Sequence, residues 1–411
     1  MTLGVGGSDA ATELTKLTDM SAEIAPIKEQ EYLSRIRQAQ ALMEQNGIDA
    51  IYLNAGTNLL YFTGTNWYAS ERLVGAIIPK QGDIQYICPH FEVATLSQYM
   101  TIVGDIHAWH EHESPYKLTS EVINKLCKSS ASTEHSITIA MDESTPFFIS
   151  DGIKQVDSAL SLVNADSVIS SCRMCKSDNE ITILQQAKLM TMAVHKAAAK
   201  ILRPGITTTE VTEFIDKAHQ AVGANSGSYF CIVLFGEDSS FPHGVKTPKA
   251  LEQGDMVLID TGCEIEGYHS DITRSYVFGE PNERQRAMWQ IEHDAQLAAF
   301  SAAKIGTPCK TVDIAARASL AKAGMGPEYQ TPGCPHRTGH GIGLDIHEWP
   351  YLVQSDETPL AKGMCFSNEP MLVLPNEFGV RLEDHFYMTE NGAKWFTEPS
   401  PSIDDPFGYN C

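Results

Sequence analysis

The decapeptide Leu251-Glu-Gln-Gly-Asp-Met-Val-Leu-Ile-Asp260 returns in outline as Leu360-Ala-Lys-Gly-Met-Cys-Phe-Ser-Asn-Glu369, with leucine, glycine and a closing carboxylate all displaced by 109 residues. A pattern that recurs at fixed spacing means one structural unit built twice. What precedes each copy also matches. A helix ending at Ile201, the turn Arg203-Pro-Gly205 and a helix from Thr209 to Val222 lead to the first. A helix from Glu283 to Ala303, the turn Gly306-Thr-Pro308 and a helix from Thr311 to Ala323 lead to the second. Two half-domains related by a pseudo-twofold are expected, with Asp260 and Glu369 meeting at the centre.

Each half offers a second acid. Asp260 closes the apolar run Met256-Val-Leu-Ile259, and Asp271 follows in Gly267-Tyr-His-Ser-Asp-Ile-Thr-Arg274. A hairpin turning around 264–267 sets these two carboxylates side by side. Glu369 is followed, past the loop Pro375-Asn-Glu-Phe-Gly379, by Glu383. Four converging carboxylates repel unless protonated or neutralised by cations. Two divalent ions about 3.5 Å apart, sharing carboxylates, are the usual solution. Any one of these acids alone reads more simply as a solvated turn residue; four in matched positions do not.

The segment His336-Arg-Thr-Gly-His340-Gly-Ile-Gly-Leu-Asp-Ile-His347 adds three imidazoles among glycines. A neutral imidazole suits Zn, Mn, Fe or Co, and His340 is assigned as that ligand. His336 and His347 then remain for substrate binding and proton handling. His107, His110 and His112 lack partner acids in helical register and read as surface or strand histidines.

The rest of the chain frames this centre. Residues 1–28 are polar and Gly/Ala/Thr-rich, which predicts a loose tail. Alternating helices and apolar strands over 29–172 predict an α/β domain, and 173–411 hold the repeat. The balance of 30 basic against 52 acidic residues disfavours nucleic acid or anionic membrane as a partner. No apolar run is long enough to span a membrane. Ten cysteines scattered through apolar segments read as reduced thiols, the lone Cys172/Cys175 pair included. A cytoplasmic location is expected; the alternative is that Met1–Gly7 ends a hydrophobic export leader.

With these residues in place, the chain resembles the pita-bread metallopeptidase family, which includes methionine aminopeptidase, aminopeptidase P, prolidase and creatinase. The match covers about residues 175–395, and Asn58-Leu-Leu-Tyr-Phe-Thr-Gly64 resembles a segment of the N-terminal domain of prolidases and aminopeptidase P. The resemblance implies an α/β fold in which a creatinase-like N-terminal domain precedes a pita-bread catalytic domain. It implies two divalent ions, manganese first, with cobalt, zinc or iron open. Asp260 and Asp271 would hold one ion, His340 and Glu369 the other or both, and Glu383 would bridge. It also implies that His243, in Phe241-Pro-His-Gly244, binds substrate and stabilises the tetrahedral intermediate. His347 would meet the scissile carbonyl, and Arg381 would orient Asp260 or a substrate carboxylate.

The implied activity is hydrolysis of the Xaa-Pro bond of dipeptides or short peptides by a hydroxide shared between the ions. Glu369 would take the proton and pass it to the leaving nitrogen. Relatives imply a homodimer. Three alternatives stay open: aminopeptidase P, a dimethylsulfoniopropionate lyase, and a non-catalytic peptide-binding relative. The lyases carry an extra acid two residues after the first metal aspartate, where this chain has Gly262.

Overall fold

The structure is a computed structural model and describes residues 2–22, 24–128 and 136–410. Its contacts divide the chain into two units, 26–173 and a second made of 1–25 with 174–411.

In the first unit six strands form one sheet: β1 (Ala50–Asn54), β2 (Gly75–Pro79), β3 (Gln85–Pro89), β4 (Asp105–Trp109), β5 (Thr138–Met141) and β6 (Ser161–Asn164). Their order is β4-β3-β2-β1-β5-β6. β1 pairs parallel with β5 and antiparallel with β2. Five consecutive buried residues in β1 mark a strand covered on both faces. The helix Glu29–Asn46 ends on Gly47 at φ 67°, the left-handed position that stops a helix. Asn58–Thr63 lies in a buried helical turn, where the Asn58 side chain donates to Asp142 Oδ1 at 2.7 Å and accepts from Arg173. This segment is structural. His110 stacks between His90 and His112, all exposed, and no close donor triad found among the described residues includes them.

The second unit shows why the repeat conserves leucine and glycine. In the first half Gly205 N–H donates to Leu251 O and Leu251 N–H to Ile206 O, both at 2.8 Å. In the second, Gly306 N–H donates to Leu360 O at 2.8 Å and Leu360 N–H to Thr307 O at 2.9 Å. Gly254 and Gly363 sit at φ 90° and 87°, and each donates to a backbone carbonyl of its own half, at Phe278 O and Met388 O. A side chain is strained at both φ values. The same bonds recur because the same turn is made twice.

Around these turns lie β7 (Ser228–Phe235), β8 (Met256–Ile265), β9 (Tyr268–His269) and β10 (Ile272–Val277) in the first half. The second half holds β11 (Gly339–Gly341), β12 (Glu348–Leu352), β13 (Cys365–Asn368), β14 (Met371–Leu374), β15 (Phe378–Arg381), β16 (Asp384–Thr389) and β17 (Gly392–Trp395). The orders are β10-β8-β7 and β12-β11-β13-β16-β17, with β14 and β15 as a separate ribbon. The helices Asp178–Lys200 and Glu283–Ala302 each open on a complete capping box, Ser177 with Glu180 and Asn282 with Gln285.

The N-terminal segment corrects the expectation of a loose tail over 1–28. Thr2 N–H donates to Gly279 O, Gly6 N–H to Ala199 O and Ser8 N–H to Lys200 O, and a helix spans Ala10–Lys16. The reason is a shortage elsewhere: the last carbonyls of the helix Asp178–Lys200 have no partner within it. Small residues with free amides supply them. Among the described residues no helix is long and apolar enough to cross a membrane. Nine cysteines, Cys172 and Cys175 among them, are free, and Cys411 lies outside the described residues.

Candidate metal centre

The first pair of acids comes from one hairpin. β8 turns at Glu266 and Gly267, both at positive φ, so that Glu264 pairs with His269 and Asp260 with Thr273. Residues 271 and 273 share a strand face, which puts Asp271 diagonally beside Asp260. The ladder is interrupted between them: Cys263 N–H donates to the Ser270 hydroxyl at 2.8 Å instead of to backbone. Close approach here requires Gly262, because a Cβ at that position would meet Ser270 O at 1.8 Å. Gly262→Ala is expected to lose at least about 1–3 kcal/mol. Thermal unfolding checks this, and an unchanged Tm would contradict the close approach. The site has no room for an acid at this position.

The second pair stands where another ladder parts. β13 pairs with β16 up to Asn368 and Asp384, and β14 pairs with β15 from Met371 and Arg381. Glu369 and Glu383 occupy the break. Their amides leave the ladder, Glu369 N–H to Thr338 O and Glu383 N–H to Thr273 O. The second bond joins the two halves. His340 lies on β11 between β12 and β13, where glycines on either side permit tight packing: a Cβ at Gly339 would meet Ser367 O at 2.1 Å.

Side chains converge accordingly. His340 Nε2 lies 3.0 Å from Glu369 Oε1 and 3.8 Å from Asp271 Oδ2. His340 Nδ1 donates to Gly341 O at 2.9 Å, which leaves the Nε2 lone pair facing the acids. Ser367 Oγ accepts from His340 N–H and donates to Glu369 Oε1 at 3.0 Å. Thr273 Oγ1 donates to Glu383 Oε2 at 2.7 Å. Arg381 pairs with Asp260, donates to Thr273 Oγ1 at 3.0 Å and reaches Pro242 O at 3.1 Å. Each of the three guanidinium nitrogens thereby has an oxygen partner, the Asp260 carboxylate among them.

The electrostatics are those of a cation site. Burial first, then the charges of Glu383, Asp260 and Glu369, hold Asp271 well above the usual carboxylate range. Burial and the neighbouring Glu369 and Asp260 do the same to Glu383, and burial with Glu369 raises Asp260 against the pull of Arg381. Glu369 differs. Burial opposes its ionisation, but contact with His340 and the charges of His340, His336 and Arg381 outweigh it and hold the carboxyl below its usual range. Asp260 Oδ1, Asp271 Oδ1 and His340 Nε2 are buried without a hydrogen-bond partner. Orphaned lone pairs on two carboxylates and an imidazole fit divalent ions such as Mn, Zn, Co or Fe.

Among the described residues, donor atoms close enough to share an ion form three groups: Asp271–His340–His347, Asp271–Glu383–His385 and His340–Glu369–Glu383. Asp260 stands outside all three, its Oδ2 facing Arg381. His347 sits at the mouth with its ring 4.2 Å from that of His340. Partial burial and the charge of His340 bring it down to about 4. His336 hydrogen-bonds Arg337 O through Nδ1, its Nε2 is buried without a partner, and Glu369 bears on it electrostatically. His243 lies on the exposed loop that Arg381 grips at Pro242.

Sequence reasoning passed over His385, whose Nε2 is 3.4 Å from Glu383 Oε1. It also missed the wholly buried pair Arg274–Asp384. The available signal was Glu383-Asp-His385, three ionisable residues in a row inside an apolar segment.

Two hairpins and a histidine strand gathering acids and imidazoles at a repeat axis define a metallohydrolase centre. The chain belongs to metallopeptidase family M24, which matches residues 182–390, and residues 35–175 match the creatinase/prolidase N-terminal domain. It is a metallopeptidase of the pita-bread fold. It is 32% identical to the Xaa-Pro dipeptidase of Pyrococcus furiosus, over 89% of this chain and 97% of that protein. It is likewise 32% identical to the putative dipeptidase YkvY of Bacillus subtilis, over 89% and 98%. The crystal structure of dipeptidase PepE from Mycobacterium ulcerans superposes with a TM-score of 0.83, at 32% identity, covering 91% of this chain and 97% of that one.

Proposed function

We propose that the chain is a dinuclear-metal Xaa-Pro dipeptidase. One observation carries the metal part: Asp271, the partly exposed Glu369 and Glu383 gather around His340 beside the Arg381-held Asp260, and buried lone pairs on Asp260, Asp271 and His340 are left unsatisfied. The proline preference rests on the likeness to the Pyrococcus furiosus enzyme. Asp260, Asp271, His340, Glu369 and Glu383 would hold two divalent ions, with His385 beside Glu383. Such ions supply an acidified water and polarise a bound carbonyl.

The chain's own residues do the rest. Glu369, whose Oε1 lies 3.0 Å from His340 Nε2 at the centre, accepts the proton and returns it to the leaving nitrogen. A tertiary amide needs that return, since the proline nitrogen leaves only when protonated. His347 is neutral near pH 7 and places a hydrogen-bond donor at the mouth, where the carbonyl oxygen gains charge. His243, on the loop fixed by Arg381, supplies the second imidazole. Gly262 argues against the lyase chemistry, since its surroundings exclude the additional acid.

The test is metal content of the purified chain together with hydrolysis of Ala-Pro, Ala-Pro-Ala and dimethylsulfoniopropionate after manganese loading. Two ions with cleavage of Ala-Pro alone is the expected result. Cleavage of the tripeptide would move the enzyme to the aminopeptidase P type. Acrylate release, or neither metal nor turnover, would overturn the proposal.

A pH dependence follows from the raised acids. Their folded pKa values exceed the ordinary 3.8 of aspartate and 4.5 of glutamate. The stability they confer is fully present below those ordinary values and is lost as pH rises through the raised ones. Chelator-treated protein should lose Tm as pH climbs from the carboxylate range toward neutrality, whereas manganese-loaded protein should not. Metal uptake should release protons and tighten with pH, which calorimetry in buffers of different ionisation enthalpy reads directly. Uptake without proton release would contradict the raised values.

A further inference from the structure

The two long helices that open each half begin on equivalent capping residues, Ser177 and Asn282. At the same step along each, Ser177 to Thr191 and Asn282 to Gln296, stands a polar side chain with no solvent exposure. A buried threonine or glutamine in a helix is expected to satisfy something specific.

Thr191 Oγ1 lies 2.7 Å from Ser270 Oγ, the hydroxyl that replaces a ladder bond immediately before Asp271. It is backed by His219 Nε2 at 3.1 Å, and His219 Nδ1 meets Ser228 Oγ at 2.9 Å. The same helix face holds both neighbours of this point: Lys188 Nζ donates to His269 O at 3.2 Å and His195 Nε2 to Ile272 O at 2.9 Å. Asp271 is thus clamped on either side from one helix.

Gln296 does the equivalent work in the second half. Its amide donates to Leu382 O at 3.0 Å, Asn368 O at 3.3 Å and Asp384 Oδ2 at 3.2 Å. Asn368 Nδ2 donates back to Gln296 O at 2.9 Å. Leu382 and Asn368 are the residues just before Glu383 and Glu369, where the ladder opens.

We propose that Thr191 and Gln296 are a symmetry-related pair of positioning residues that set the separation of the two ions, Thr191 through Ser270 and Asp271, Gln296 through the backbone carrying Glu369 and Glu383. The proposal rests on the dinuclear reading above. Neither side chain touches substrate or ion. Each fixes a break in a ladder that would otherwise have slack, and outer partners of this kind typically govern metal affinity about 10–100-fold.

The experiment is calorimetric titration of the metal-free full chain with Mn2+, paired with the visible spectrum of the Co2+ form. Thr191→Val and Gln296→Met keep volume and remove the polar atoms, and Thr191→Ser keeps the hydroxyl. Both apolar variants should weaken at least one of the two binding steps about 10–100-fold and alter the Co2+ spectrum. Thr191→Ser should restore both readouts. Variants that bind two ions with wild-type affinity and spectrum, and merely melt earlier, would show a purely structural role and overturn the inference. A wild-type chain that takes up no ion would overturn the dinuclear reading and this one with it. Should one apolar variant fail to fold, the other and the serine control still decide.

Discussion

Glu369→Gln should lower kcat on Ala-Pro by about 10²–10⁴-fold, the usual contribution of a positioned general base, while leaving the fold intact. The substitution preserves shape, and the retained amide oxygen still accepts from Ser367 Oγ, which itself still accepts from His340 N–H. Thermal stability of the metal-loaded protein should therefore stay near that of the parent. The loss should fall on kcat more than on KM, because the proton is handled in the transition state and not in binding. Turnover within about tenfold of wild type at saturating manganese would remove Glu369 from the role of base. His347, neutral at the mouth, would then be the remaining candidate on this side of the site.

Arg274→Met should have the largest effect on stability. Arg274 and Asp384 form an ion pair with neither side chain exposed to solvent. Arg274 also donates to Glu383 O at 2.9 Å and to Thr273 O at 3.1 Å, so it ties the two halves together behind the centre. Burial raises Asp384 above the usual range even against the pull of Arg274. Desolvation thus takes back much of the attraction, yet removing one partner strands a charge, at about 3–5 kcal/mol. The corresponding fall in Tm is on the order of 10 °C. Asp384 can escape by taking up a proton, so the deficit should shrink as pH is lowered. Replacing both partners with apolar residues should recover part of it. A single variant that melts with wild type at pH 8 would show that Gln296 and Thr397, which also donate to Asp384, suffice alone.

Much of this site was legible because it repeats. Leucine and glycine at a common offset marked a turn made twice, and an acid ending each apolar run marked the axis. The hairpin at Glu266 and Gly267 was readable from chain direction and turn residues alone. What escaped notice was polar but buried. Thr191 and Gln296 sit on helices whose sequence alone does not say which polar residues face inward. Only the break at Ser270, or the parting of β13 from β16, gives them work to do. Arg274 and Asp384 escaped for a related reason: a strand reading scores alternation and passes over a charge matched by another far along the chain. The first residues misled through composition. Glycine and small polar residues usually signal looseness, but here their free amides meet carbonyls that a helix end leaves open.

The division of donors between the halves has an evolutionary consequence. The first half brings two aspartates, and the second brings two glutamates with a histidine. A chain carrying only one of the two half-domains would own only one side of the centre and would need a second copy of itself to close it. Such a dimer would have identical sides, obliging every ligand to serve both positions equally. Joining the copies in one polypeptide lifts that obligation. Each side can then be selected separately, short acids on one and longer ones on the other. Glu369, the base proposed above, has no equivalent at Asp260, whose carboxylate is held by Arg381.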